Sequence, residues 1–197
     1  MKKTEILFGA IDIFAKYGYE KTKVTDIATY LNISTSVLYR QFNSKYNLYE
    51  EAITQCLAIV DEYLDKLSDE VDSLHDYLVA IIHLAKELSE DKQKSILLNF
   101  YMLITTNTLE IKNTEILEHF ELNKLHRYSK FLTHNDIPNK YRLLFIDNVI
   151  NLYIYSFFNE FYAEKMKLYF TLIPNVNKKK FEENLVTYLL TDTPFLK

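Results

Sequence analysis

The chain has 197 residues, 48% hydrophobic and 25% charged, with a net charge of −4. That much apolar material builds a globular core and excludes disorder over most of the length. Two glycines, three prolines and one cysteine exclude glycine-rich phosphate loops, a GxSxG nucleophile elbow and an internal disulfide.

With so few breakers the expected fold is all-α. The start MKKTEILFGAIDIFA looks like a signal peptide only superficially, because Glu5 and Asp12 interrupt its apolar stretch. The longest candidate stretch, Leu152–Phe158 with Ser156 inside it, is far short of the ~18 residues of a membrane span. A cytoplasmic protein with no membrane partner is expected. Charge is unevenly placed: residues 1–50 hold seven Lys/Arg and five Asp/Glu, whereas the remainder holds sixteen and twenty-two. A mildly basic end thus precedes an acidic body, a split that leaves nucleic acid open as a partner.

Along the chain, Ile6, Leu7, Ala10, Phe14 and Tyr17 recur at helical spacing and predict a first helix. Gly18 sits where such a helix takes a left-handed cap. Thr22 to Asp26 offer N-cap residues for a second helix of about two turns, carried by Val24, Ile27, Ala28 and Leu31. Asn32 suits the left-handed conformation in the break that follows. Ser34 caps a third short helix with Val37 or Leu38 and Phe42 inward, and Asn43 and Ser44 cap a fourth that starts at Lys45.

Two short helices across a tight turn, braced by a longer one, form a helix-turn-helix pattern. Its third helix would enter the major groove. Thr35, Ser36, Tyr39, Arg40 and Gln41 would face outward, and they suit contact with phosphates and base edges. Arg40 has a fork that pairs with a guanine edge or a phosphate. Thr25 and Lys45 lie at helix starts, where free N–H groups favour phosphate.

The run ILFGAIDIFAKYGYEKTKVTDIATYLNISTSVLYRQFNSKYNLYEEAI resembles the DNA-binding region of TetR-family transcriptional regulators. Its most specific mark is Leu38–Tyr39–Arg40–Gln41–Phe42 followed by Ser44–Lys45. The resemblance spans Lys3–Ile53. It implies DNA contacts at Thr25, Thr35, Ser36, Tyr39, Arg40 and Lys45. Asn32 stands where many members have glycine, and Val37 where many have threonine, which affects the operator sequence.

The body reads as helices at roughly 45–66, 72–89, 92–106, 113–133, 138–166 and 177–191. Polar breaks fall at Ser68–Asp69, Glu90–Asp91, Asn107–Thr108, Asn135–Asp136 and Pro174–Asn175. The expected division is a DNA-binding domain over 1–48 and a helical effector-binding and dimerisation domain over 49–197. Ten aromatics between Tyr141 and Phe170 call for cover on more than one side of the 138–166 helix. The resemblance implies that this helix and 177–191 pair with their copies in a homodimer. His83, Asn99, Tyr101, Thr105, His126, Tyr155 and Asn159 are polar groups on apolar helices and candidates for an effector pocket. An aromatic-rich cavity would suit a small hydrophobic, aromatic or cationic ligand. His75, His83, His119, His126 and His134 lack metal-pair spacing, and neither serine nor Cys56 has a nucleophile setting. The expectation is therefore no catalytic residue, no metal and no cofactor. The favoured reading is a repressor released from a palindromic operator by a small effector. The rival is a helical protein–protein adaptor without DNA binding.

Overall fold

The computed structural model describes residues 1–106, 114–132, 140–157 and 181–191. Among these residues there are nine helices and no strand. They are α1 (Lys3–Lys21), α2 (Val24–Tyr30), α3 (Thr35–Gln41), α4 (Lys45–Glu70), α5 (Leu74–Glu90), α6 (Lys92–Thr106), α7 (Thr114–Ser129), α8 (Lys140–Tyr155) and α9 (Phe181–Thr191). The chain divides into two compact units, Met1–Glu62 with Lys92–Leu122 and Tyr63–Asp91 with Asn123–Lys197. The boundary expected at residue 48 falls inside α4, one continuous helix.

The first unit is built on α1. Ile6, Ala10 and Phe14 are fully buried, joined by Leu7, Ile11 and Ile13. Tyr17, expected on this face, is exposed. Gly18 breaks the helix at φ 76°, ψ 167°. This is the extended positive-φ region that essentially only glycine occupies, and not the left-handed cap expected. A Cβ there would meet nothing within 4 Å, so the backbone alone demands glycine. Gly9 has the opposite reason, for its Cβ would clash with the Leu31 side chain at the end of α2.

Rings complete this core. Phe14 packs edge-on against Tyr49 of α4 at 4.9 Å, Tyr19 lies 4.7 Å from Tyr49, and Phe100 of α6 lies 6.0 Å beyond. Asn99 Nδ2 donates to the Ala15 carbonyl at 3.4 Å, and α1 packs along α6. Cys56 is fully buried, and its thiol donates to the Leu97 carbonyl. Burial pushes that thiol well above the ordinary range.

The second unit centres on α5, which packs against both α8 and α9. Tyr77, Leu78, Ile82, Ile146, Ile150, Val186 and Leu189 are buried in its core. Ser73 caps α5 by accepting from the Asp76 N–H at 3.0 Å. Hydrogen bonds from Ser73 and His75 hold the Asp76 carboxyl below its usual range. His75 Nε2 lies 3.0 Å from Thr187 Oγ1 on α9.

A polar network joins α7 to α8. Lys124 Nζ donates to Asp147 Oδ2 at 2.7 Å, the Tyr128 hydroxyl donates to Asp147 Oδ1 at 2.9 Å, and Asn151 Nδ2 adds a third donor. Arg127, 1% exposed, pairs with Asp65 at 2.9 Å.

Three expected boundaries move. The break at Ser68–Asp69 does not occur, because Ser68 is buried and bonds the Asp65 carbonyl while α4 continues to Glu70. The helix expected over 113–133 ends at Ser129. The one expected over 138–166 stops at Tyr155, where Ser156 and Phe157 donate three residues back to Tyr153 and Ile154. The breaks expected at 107–108, 135–136 and 174–175, and the aromatics from Phe158 to Phe170, lie outside the described residues.

Three measurements follow from these features. Gly18→Ala lowers stability by about 1–3 kcal/mol in urea unfolding, since the strain is in the backbone. Asp147→Ala costs about 3–5 kcal/mol, because it leaves the Lys124 ammonium in a nearly solvent-free site without its carboxylate. Cys56 resists thiol reagents in the native protein and reacts only as fast as the chain unfolds. The unfolded thiol ionises first as pH rises past the ordinary thiol range, so stability is present below that range and declines above it.

Candidate nucleic-acid interface

The turn between α2 and α3 decides how α3 is presented. The Ile33 N–H donates to the Ala28 carbonyl at 2.9 Å and the Asn32 N–H to the Thr29 carbonyl at 3.1 Å. This paired arrangement is the Schellman motif. It requires a left-handed residue, and Asn32 supplies it at φ 53°. The helix starts are held differently from expectation. Asp26 reaches back to accept from the Lys23 N–H at 2.9 Å, so the first turn of α2 is closed by a carboxylate and not by Thr22. The Thr22 hydroxyl bonds the Gly18 carbonyl instead. Ser34 occupies the N-cap position of α3, but its hydroxyl pairs with that of Ser36 at 2.7 Å. Ser44 does cap α4, accepting from the Asn47 N–H at 3.0 Å.

Leu38 and Phe42 are each 1% exposed and anchor α3 to the core, whereas Val37 is half-buried. That anchoring turns the opposite face outward. Ser36, Tyr39 and Arg40 are exposed and Thr35 is half-buried. These four sit one helical turn apart in two adjacent pairs, so they share one surface. The Tyr39 ring is 53% exposed, a large apolar body left in water on a seven-residue helix. Thr25 is exposed on α2, which packs against α3.

Lys45, expected at a phosphate, lines a small recess with Tyr39 and Ser44. Its ammonium donates to the Tyr19 carbonyl at 2.8 Å and the Thr22 carbonyl at 3.1 Å, and stands 4.0 Å from the centre of the Tyr19 ring.

An open groove of about 590 Å³ between α1 and α2 is lined by Tyr17, Lys21, Lys23, Asp26, Thr29 and Tyr30. Beside it the Tyr30 hydroxyl donates to Asp12 at 2.6 Å, and that carboxylate holds the phenol above its ordinary range. Lys21 and Lys23 were not singled out in the sequence. Their signal was two cations two residues apart at the α1–α2 junction.

The candidate effector residues are divided between the two units. Asn99, Tyr101 and Thr105 lie in the first unit, while His83, His126 and Tyr155 lie in the second. His83 and His126 face solvent, which removes them as pocket walls. Thr105 bonds the Tyr101 carbonyl on its own helix at 3.1 Å, and Asn99 is held by Ala15. Asn159 lies outside the described residues. Within the first unit there is instead a groove of about 410 Å³ between α4 and α7. Leu57, Ala58, Ile116 and Phe120 line it together with the polar Thr54, Asp61, Glu115 and His119, and the Tyr101 ring packs 5.7 Å from that of Phe120. Leu57 and Ala58 were hidden from sequence reasoning because they read as ordinary α4 core.

Residues 6–52 match the model for bacterial regulatory proteins of the tetR family. The chain is 31% identical over 84 residues to IcaR, the negative transcriptional regulator of the biofilm operon icaADBC in Staphylococcus aureus strain Newman. It is 28% identical over 83 residues to IcaR of Staphylococcus epidermidis. In both cases 41% of this chain is matched, and the chain spans 45% of the length of the relative. Among solved structures, FadR from Bacillus subtilis in complex with stearoyl-CoA has a TM-score of 0.62 at 14% identity, over 96% of this chain and 98% of that one. FadR from Bacillus halodurans has a TM-score of 0.61 at 15% identity, over 97% and 99%. The fold is thus common to these FadR structures and this chain, helical throughout its described residues apart from turns. Over residues 6–52 the chain is similar to the tetR family of bacterial regulatory proteins.

Proposed function

We propose that the protein is a homodimeric transcriptional repressor that binds a palindromic operator in the cytoplasm and releases it when a small effector binds. The observation that carries this reading is the outward face of α3, where Thr35, Ser36, Tyr39 and Arg40 follow a rigid turn while Leu38 and Phe42 are buried behind them. The family match over these same residues supports it. Residues 1–48 would read DNA, with Thr25 of α2 on the adjoining phosphates. Each subunit would occupy one major groove, with half-sites about one helical turn or a multiple apart.

Residues 49–197 would supply dimerisation and effector binding. For the dimer we retain the helices containing α8 and α9. Leu152 of α8 is 46% exposed, which supports a further partner for that helix. For the effector, the groove between α4 and α7 replaces the scattered set, with Tyr101 retained behind its Phe120 wall. Its volume lies within the range of roughly 300–1,000 Å³ of small-molecule sites, and its apolar floor suits a hydrophobic or aromatic molecule. Bacillus subtilis FadR, similar in fold, is in complex with stearoyl-CoA, a molecule with a long apolar chain.

Selection of genomic fragments on the purified protein, followed by titration of the recovered site, tests the reading. A palindrome is expected, with affinity falling steeply with salt. Arg40→Ala should weaken binding by about 1–3 kcal/mol, and Tyr39→Ala should also weaken it. A folded dimer that enriches no fragment, with or without candidate effectors, would overturn this reading in favour of the adaptor.

A further inference from the structure

The groove between α4 and α7 is apolar at its base and acidic at its walls. From α4 come Thr54, Leu57, Ala58 and Asp61, and from α7 come Glu115, Ile116, His119 and Phe120. Each set recurs at the three- and four-residue spacing of a single helix face. All of them belong to the first unit. Leu57 and Phe120 are buried and form the base, with the Tyr101 ring packed behind Phe120. Asp61 is half-buried, while Glu115 and His119 are exposed. One carboxylate thus stands on each wall, nearer to solvent than the base. No lysine or arginine is among the described lining residues, so the formal charge of the lining is negative. The chain beyond residue 50 has the same sign, with sixteen Lys/Arg against twenty-two Asp/Glu. Among the described residues no group of three or more His, Cys, Asp or Glu is placed to hold a metal ion. The charge of Asp61 and Glu115 is therefore spread along the groove, which suits an organic body more than a bare ion. Each carboxylate has about four lone-pair sites, so it can receive a ligand cation beside its other partners.

We infer that this groove takes a lipophilic organic cation, its apolar body over Leu57, Ala58, Ile116 and Phe120 and its positive centre between Asp61 and Glu115. The inference deepens the effector reading above and rests on it for the role of the groove. Burial of the apolar body supplies affinity, and the carboxylates select the sign of the charge. The Phe120 ring adds a surface that attracts cations. An anionic molecule of the same apolar size meets the same carboxylates as repulsion. Stearoyl-CoA, the molecule in complex with Bacillus subtilis FadR, carries phosphates and belongs to this disfavoured class.

Calorimetric titration of the full-length protein with tetraphenylphosphonium and tetraphenylborate tests the inference. The two ions are alike in size and apolar surface and opposite in charge. Ala58→Phe fills the groove from an exposed position, so the binding it removes is the binding in the groove. In that fraction tetraphenylphosphonium should bind about tenfold tighter than tetraphenylborate or stearoyl-CoA, the combined worth of two partly exposed ion pairs. Asp61→Asn combined with Glu115→Gln should abolish the preference. If that double variant does not melt cooperatively, either single substitution carries the same test with about a threefold loss. Borate or stearoyl-CoA bound as tightly as phosphonium would sink the inference. So would an absence of phosphonium binding, or a phosphonium isotherm indifferent to Ala58→Phe or to loss of the carboxylates. Fragment selection on the same protein separates the two readings. Phosphonium bound in the groove without enrichment of any DNA supports the ligand class and removes the regulator, whereas operator binding without phosphonium binding does the reverse.

Discussion

Phe14 is the residue on which the first unit turns. It is wholly buried in α1, meets Tyr49 of α4 edge-on, and stacks toward Phe100 of α6 at 6.4 Å. Those rings bury far more apolar surface than any single aliphatic side chain. They also set the angle at which α1 lies, and α1 is the platform for the two short helices. Neither α2 nor α3, at seven residues each, is long enough to be stable alone. The outer surface of α3 is therefore a product of packing several layers beneath it. Leu38 and Phe42 transmit that packing to α3 by being its only fully buried side chains.

Cations do different work in the two units. Near the helix-turn-helix, Lys45 is held by backbone carbonyls and a ring, where its desolvation is offset by three fixed partners. In the second unit Lys124 and Asp147 pair largely out of water, whereas buried Arg127 reaches Asp65, whose side chain is 60% exposed. Buried ion pairs contribute little net stability compared with apolar side chains of the same volume, but they tolerate only one arrangement. Asp147 takes donors from two positions of α7 and one of its own helix, so it fixes the register of α8 against α7.

Much of this was legible in the sequence because the local signals were backbone demands. Gly18 and Asn32 mark the two positive-φ positions among the described residues, and both were assigned as turn positions. Leu38, Phe42, Ile27 and Ala28 face inward as their spacing requires. What failed was anything that depended on a distant partner. Ser68 looked like a break because serine favours helix ends, yet its hydroxyl bonds back along the helix and its side chain is covered. Thr22 and Ser34 looked like caps, but nearby acceptors and hydroxyls took their hydrogen bonds. Lys124, Arg127 and Tyr128 lie on one face of α7 at spacings of three and four, a pattern that reads equally well as solvated surface until Asp147 and Asp65 are placed. Polar residues on apolar helices gave the pocket set. Three of its members proved to be exposed histidines or a threonine bonded along its own helix, which no spacing rule separates from pocket walls.

Asn99 and Phe100 have a consequence for how such proteins recombine. The Asn99 amide holds the Ala15 carbonyl, and the Phe100 ring fills the space under Phe14. The inheritable module is thus discontinuous: the first fifty residues and α6 are co-adapted halves of one core, separated in the gene by everything between. A hybrid that exchanged only the contiguous N-terminal segment would seat a foreign ring on Phe100. Substitutions on the outer face of α3 leave this core untouched, whereas a wholesale exchange of the head is penalised unless α6 travels with it.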